Sequence, residues 1–498
     1  MRAISKSSCG RGDALSPRKN VFKGAAILSA GQGLGRILSF VRNLIVARLV
    51  TPEDFGIAAT FAITVSVFEM ISDLGSDKLI IQAKDGDNEL LQATAQSWLF
   101  VRGLMAAIFI AGLAKPISRL FDVPEAQWAF MVLGLVPLMR GLAHLDRIRL
   151  QRGMRFGPQV AAEAGSQLVA TLSAWPLAAW LGDYSAMLWL VILQAGSFAI
   201  ISHAFALRRY RWAWDRGSAH RLVTFGWPLL VNGLLMFGIL QGDRLVVGSM
   251  YSIRDLGLYS VAAALTMTPT MVLASLSTSL LLPLFSEVQD APERLCRRYR
   301  LSVQLFSGLS GLTAVGFILA GQPLLVLFFG SAYEDAGTII AALAIMQGAR
   351  LLRIVPTVAA MARSDTSNSM MANLFRIAAL PLALLAAWFH LPIFWIAVAG
   401  AAGELLGLLY SLSRLQRKQS LRVGIAIGPV LVTAACITGA FFLEPLVSHS
   451  IAKLIIALLV IGCVLLLGMS AFDESRSELR RAAYALLRYR PVLLKTQI

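Results

Sequence analysis

The sequence predicts an all-α, polytopic membrane protein with about fourteen transmembrane helices, and three observations carry that expectation. Hydrophobic residues make up 57% of the chain and charged residues 15%, with a mean hydropathy of +0.69. A soluble domain carries roughly 25% charged residues. Apolar stretches of around twenty residues recur along the whole length, with short polar connections between them. Basic residues crowd alternate connections: about 31 of the 45 lysines and arginines fall on one side and about 4 on the other. By the positive-inside rule the basic side is expected to be cytoplasmic.

In chain order, apolar runs place six crossings near residues 24–46, 55–76, 98–114, 128–143, 159–181 and 186–207. A second six follow near 222–250, 258–281, 301–320, 337–361, 370–389 and 393–412, and a last pair near 425–442 and 451–472. The chain thus divides into a basic N-terminus (1–23), a first six-helix bundle (24–207), a basic linker (208–221), a second six-helix bundle (222–412), an extra helix pair (413–472) and a basic amphipathic tail (473–498). An even number of spans puts both termini in the cytoplasm. The tail alternates basic residues with Leu, Ala and Tyr at helical spacing, so it is expected to lie on anionic membrane lipids. Gln32 and Arg36 interrupt the first apolar run, which argues for a retained anchor and against a cleaved signal peptide.

The net charge of +17 and pI near 10.3 would suggest nucleic acid as a partner in a soluble protein. The distribution of that charge over alternate connections argues instead for membrane topology and no nucleic acid. Cys9, Cys296, Cys436 and Cys463 have no metal-ligand spacing, and the five histidines are scattered near span ends, so no metal, cofactor or soluble-enzyme constellation is expected.

The two halves carry a related turn. Thr51-Pro52-Glu53-Asp54-Phe55-Gly56 after the first span recurs as Ser252-Ile253-Arg254-Asp255-Leu256-Gly257 after the seventh, an offset of 201 residues. The pair Arg42-Asn43 matches Asp243-Arg244 at the same offset. Both copies have the same expected orientation, which predicts parallel repeats about an axis along the membrane normal, with a central site between them.

Candidate site residues are those that hydrocarbon would reject. In the first span Ser29, Gln32, Arg36, Ser39 and Asn43 lie within about 80° of arc on a 3.6-residue helix, a polar stripe that must face protein or a wet cavity. Gly31 and Gly35 have the small-xxx-small spacing of close helix packing. Arg42 lies off the stripe and reads as a snorkelling residue, an ion pair or a flank of the cavity. Asn232 and Asp243 share a face of the seventh span, and Asp243 with Arg244 reads either as a neutralised local pair or as a gate. Arg350, Arg353 and Arg376 in two consecutive helices suggest an inward-facing anion site, with snorkelling as the alternative for each; Arg102 reads as a snorkelling residue. Glu69, Glu163 and Glu404 are the candidates for proton or sodium coupling, the alternative for each being an arginine partner.

Three stretches carry a resemblance: Ala47 to Gly56 continuing to Asp73-Leu74-Gly75 and Leu79 to Gln82; Gly242 to Leu245 with Leu256 to Ser260 and Ala262 to Pro269; and Leu327-Phe328-Phe329-Gly330 with Tyr333 and Ala336. In these the chain resembles the polysaccharide-transporter, or Wzx-type, branch of the multidrug/oligosaccharidyl-lipid/polysaccharide exporter superfamily. The resemblance implies two pseudo-symmetric six-helix bundles around a central cavity, two extra helices and alternating access. It implies a lipid-linked oligosaccharide on undecaprenyl diphosphate as substrate, moved from the cytoplasmic to the periplasmic leaflet of the bacterial inner membrane, with polymerase machinery as a partner. An ion-coupled drug or cation antiporter would want acids in its cavity, where this chain has arginines. A membrane-embedded polymerase or ligase would want a large outer loop, where this chain has connections as short as Gly182-Asp183-Tyr184.

Overall fold

The computed structural model describes residues 17–419 and 424–447 and positions 455, 457, 459, 461 and 462. The expectations for residues 1–16, for most of the last span and for the basic tail lie outside the described residues. The first half contains α1 (Pro17–Ala47), α2 (Pro52–Ser72), α3 (Ser76–Gln82), α4 (Glu89–Gly112), α5 (Ala114–Leu120), α6 (Gln127–Leu133), α7 (Leu135–Gly141), α8 (Asp146–Arg152), α9 (Gly157–Leu172), α10 (Ala174–Leu181) and α11 (Ser185–Ala204). The second half contains α12 (Arg216–Met250), α13 (Ile253–Ser286), α14 (Pro292–Phe329), α15 (Gly337–Ala362), α16 (Thr366–Arg376), α17 (Ala379–Trp388) and α18 (Phe394–Gln419), followed by α19 (Gly424–Val447). Among the described residues nine helices are long and apolar enough to cross a membrane, or ten when one bent pair counts as a span.

Several expected spans are broken, and the breaks share a cause. Leu113, Gly134, Ser173 and Ala378 separate α4 from α5, α6 from α7, α9 from α10 and α16 from α17. Each lies three residues before a proline: Pro116, Pro137, Pro176 and Pro381. A proline lacks the N–H that would bond the carbonyl four residues back, and its ring crowds that carbonyl, so the helix opens just before it. The spans at 128–143, 159–181 and 370–389 are therefore two helices each. Other helices extend well past their apolar runs: α12 begins at Arg216, where the Asp215 side chain caps it by accepting from the Ser218 amide, and α14 begins at Pro292, a proline in the first turn, where its missing N–H is no loss.

The repeated turn packs on itself. Thr51 caps α2 by accepting from the Asp54 amide, and Ser252 and Asp255 form a reciprocal capping box at the start of α13. These N-termini cross so closely that a Cβ on Gly56 would sit 2.0 Å from the Ile253 carbonyl oxygen, and one on Gly257 would sit 2.0 Å from that of Pro52. Each contact maps onto the other under the 201-residue offset, as a two-fold axis between α2 and α13 requires. Arg254 adds ion pairs to Glu53 at 3.2 Å and Asp335 at 3.4 Å across the same crossing. Towards the basic end, α2 instead meets α12, where Gly226 and Gly233 would place a Cβ 2.4 Å from the Leu74 and 2.1 Å from the Met70 carbonyl oxygen. Helices α1, α2, α12 and α13 thus form the seam between the halves.

Candidate functional site

Helix α1 has four distinguishable faces. Gly31 and Leu38 lie against α9: a Cβ on Gly31 would meet Val160 at 2.6 Å, and the Leu38 carbonyl accepts from Thr171 Oγ1 at 3.0 Å. Roughly opposite, at about 100° per residue, Gly33 faces Val272 of α13, and Phe40 meets Phe328 and Phe329 of α14 edge-on. The two remaining faces differ sharply in chemistry. One presents the exposed apolar side chains Leu34, Ile37 and Val41, suited to lipid. The other presents Gln32 and Arg36, both exposed, and Ser39 and Asn43, both half-buried. The Arg36 guanidinium has no hydrogen bond or ion pair among the described residues.

Arg42 is buried against the first bundle and donates to Gln194 Oε1 at 2.6 Å and Ser39 Oγ at 3.4 Å, leaving its Nε without a partner. It neither snorkels nor forms an ion pair. Glu69 receives two hydrogen bonds from Arg140 Nη1, at 2.6 and 2.7 Å, in a pair that is partly open to solvent. Arg102 pairs with Asp73 at 3.2 Å, so the snorkelling expected of Arg102 is replaced by an ion pair within the protein. Glu163, half-buried, accepts from the neutral Gln159 amide at 2.6 Å. Sequence reasoning passed over Arg140 and Gln194. Both are polar groups inside apolar runs, the same signal that singled out Arg36.

In the second half, Arg350 and Arg353 from α15 and Arg376 from α16 converge on Glu404 of α18. Arg350 Nε lies 2.8 Å and Arg376 Nη2 2.5 Å from Oε1; Arg376 Nε lies 2.9 Å and Arg353 Nε 3.3 Å from Oε2. Snorkelling is excluded for these arginines, since a single buried carboxylate draws all three inward. A small cavity beside the cluster is also lined by Asp243. The expected Asp243–Arg244 ion pair is absent. Asp243 accepts from the Tyr259 hydroxyl at 2.8 Å and from the Arg244 amide at 2.8 Å, whereas the Arg244 guanidinium reaches Gln241 at 3.5 Å. The two side chains are adjacent in sequence and leave the helix about 100° apart, so they take separate partners. Asn232 is half-buried near the seam.

The arrangement can attract and neutralise anions between two packed halves, and among the described residues no group of acids, histidines or cysteines could hold a metal. The sequence profile of a family described as "Polysaccharide biosynthesis protein" matches residues 45–338, more than half of the chain. The chain belongs to that family. It is 25% identical over 316 residues to the succinoglycan biosynthesis transport protein ExoT of Rhizobium meliloti, and 22% identical over 327 residues to the lipopolysaccharide biosynthesis protein WzxC of Escherichia coli. These alignments cover 62% and 64% of the chain and 63% and 64% of the relatives, a little under two thirds of their length. By fold it is similar to the lipid II flippase MurJ in an inward closed conformation, with a TM-score of 0.71 at 15% identity, covering 90% of this chain and 98% of that one. An inward-facing multidrug resistance transporter of the MATE family aligns at a TM-score of 0.61 and 13% identity, over 82% of this chain and 95% of its own. The chain is a multi-pass membrane protein with the fold of these transporters.

Proposed function

We propose that this chain is a flippase for a lipid-linked oligosaccharide, carrying a diphosphate headgroup from the cytoplasmic to the periplasmic leaflet of the inner membrane by alternating access. The basic connections face the cytoplasm, as do both termini. The observation that carries the reading is Arg36, an unpaired guanidinium on the polar face of α1, opposite the face that suits lipid. An arginine inside a membrane protein with no hydrogen-bonded counter-ion is costly; the charge of Glu163 reaches Arg36 only through space, and a phosphate that meets its bidentate fork supplies the direct contact. Gln32, Ser39 and Asn43 supply hydrogen bonds along the same face. Arg350, Arg353 and Arg376 exceed Glu404 in charge and add a cationic field from the second half. Moving two negative charges outward is favoured by an inside-negative potential, at about 2.3 kcal/mol per charge per 100 mV. For proton or sodium coupling, Glu163 is the best suited of the three acids, because its hydrogen-bond partner is the neutral Gln159 and the charges of Arg147 and Arg36 reach it only through space. Glu404 is the least suited, because guanidinium groups already hold both of its oxygens.

The test is Arg36→Ala, measuring membrane abundance beside lipid-linked oligosaccharide accumulating in the inner leaflet. Normal abundance with loss of surface polysaccharide is expected, with partial activity in Arg36→Lys, where the charge persists and the fork is gone. Normal export in Arg36→Ala would refute the assignment.

A further inference from the structure

The connection between α11 and α12, expected as a basic linker, is a strap fixed at both ends. Near its end the Ala213 amide donates to Ser97 Oγ at 3.2 Å and the Asp215 amide to Thr94 Oγ1 at 3.3 Å. Trp214 stacks on Trp98 with ring centroids 6.0 Å apart, and Trp212 meets Phe100 edge-on at 4.6 Å, so the strap lies along the first half of α4. Near its start the buried carboxylate of Asp146 accepts from the amides of Leu207 at 2.7 Å and Arg208 at 3.2 Å.

Beneath this strap is a cavity of about 270 Å³, lined by Gln92, Gln96, His144, Arg208, Arg209 and Arg211, with Glu89 also on its wall. Most of these groups are engaged. Arg208 donates to the Asp87 carbonyl and to Gln92, both at 2.9 Å, and Arg211 pairs with Glu89 at 3.3 Å. Two donors are left over. The Arg209 side chain is exposed and makes no hydrogen bond or ion pair among the described residues. His144 is 3% exposed; its Nδ1 accepts from the Asp146 amide at 3.0 Å, which places its proton on Nε2, and that buried Nε2 has no partner. A buried N–H without an acceptor is destabilising, and an oxyanion that enters between it and a free guanidinium satisfies both.

The strap itself indicates where the anion comes from. Phe205, Leu207, Trp212 and Trp214 expose large apolar surfaces beside the three arginines. Tryptophan and arginine side by side are the composition of a segment at headgroup depth. We propose that the strap cavity binds the phosphate headgroup of an anionic lipid in the leaflet on the basic side, through His144 Nε2–H and the Arg209 guanidinium. The site is built by the first bundle and the strap, shares no lining residue with the polar face of α1, and stands independently of the flippase reading.

The test titrates the detergent-solubilised full chain with short-chain phosphatidylglycerol and follows bound lipid by native mass spectrometry. Arg209→Ala, which breaks no hydrogen bond or ion pair among the described residues, should weaken binding about tenfold, the loss of one charge-assisted hydrogen bond. His144→Phe, which keeps a ring but removes the Nε2 donor together with the Nδ1 acceptor of the Asp146 amide, should weaken it as well. Arg417→Ala, at an exposed arginine in another basic connection, should leave binding unchanged. Equal binding by wild type and Arg209→Ala, or equal losses in Arg209→Ala and Arg417→Ala, would overturn the site. Inorganic diphosphate displacing the lipid at matching concentration would assign the cavity to a free anion and overturn the lipid source.

Discussion

Glu404→Gln tests whether the second half depends on one carboxylate. The substitution preserves shape while removing the negative charge that holds Arg350, Arg353 and Arg376. Glu404 and Arg376 side chains are each 3% exposed, Arg350 8% and Arg353 13%, so solvent cannot replace the lost counter-charge. The new amide nitrogen would also face two guanidinium donors where an oxygen had accepted two hydrogen bonds. Removing one partner of a buried pair destabilises by about 3 to 5 kcal/mol, and Asp243 beside the same cavity takes up part of the unbalanced charge, which places the expected value near the lower figure. The matched control is Glu69→Gln, whose Arg140 partner is 39% exposed and should cost about 1 kcal/mol or less. Thermal and denaturant midpoints of the detergent-solubilised chain measure both. A Glu404→Gln variant as stable as wild type, or no less stable than Glu69→Gln, would refute the argument that the three arginines require this counter-ion.

Two further predictions concern the ends of the bundles. Gly257→Ala places a Cβ 2.0 Å from the Pro52 carbonyl oxygen, a backbone atom that cannot rotate aside, so α2 and α13 must part; we expect a loss of about 1 to 3 kcal/mol, and unchanged membrane abundance and melting temperature would refute it. At the basic end, hydrogen bonding to Arg414 pulls the Asp365 carboxyl down to about 2 from its ordinary 3.8. A carboxyl lowered on folding stabilises fully above its unfolded value and loses that contribution as the pH falls through the folded one. The stability difference between wild type and Asp365→Asn should therefore be constant above about pH 5 and be mostly lost by about pH 2; a difference that persists unchanged at pH 2 in a melting series would sink the idea.

Some tertiary features left a trace in the sequence that chemistry alone could read. Gln32, Arg36, Ser39 and Asn43 repeat at helical spacing, and hydrocarbon penalises each of them, so their common face follows from local geometry. The recurring turn at Gly56 and Gly257 signalled a two-fold relation, and the structure adds that the two copies pack on each other. The helix breaks were half legible. Pro116, Pro137, Pro176 and Pro381 open their helices, yet Pro228, Pro269, Pro283, Pro323 and Pro356 sit inside continuous ones. The same residue gives either result because neighbouring packing decides whether the freed carbonyl is tolerated.

By itself the sequence determined that the chain crosses a membrane many times, which connections carry the positive charge, and which face of α1 cannot meet lipid. These are partition questions, settled residue by residue through the free energy of transfer between water and hydrocarbon. The tertiary structure alone decided the partners of the interior charges. Glu404 gathers arginines 28, 51 and 54 positions away, Arg102 finds Asp73 and not the headgroups, and Asp243 turns from its neighbour Arg244 to Tyr259. An ion pair depends on a separation of a few ångströms. Distance along the chain does not fix that separation; the crossing of packed helices does.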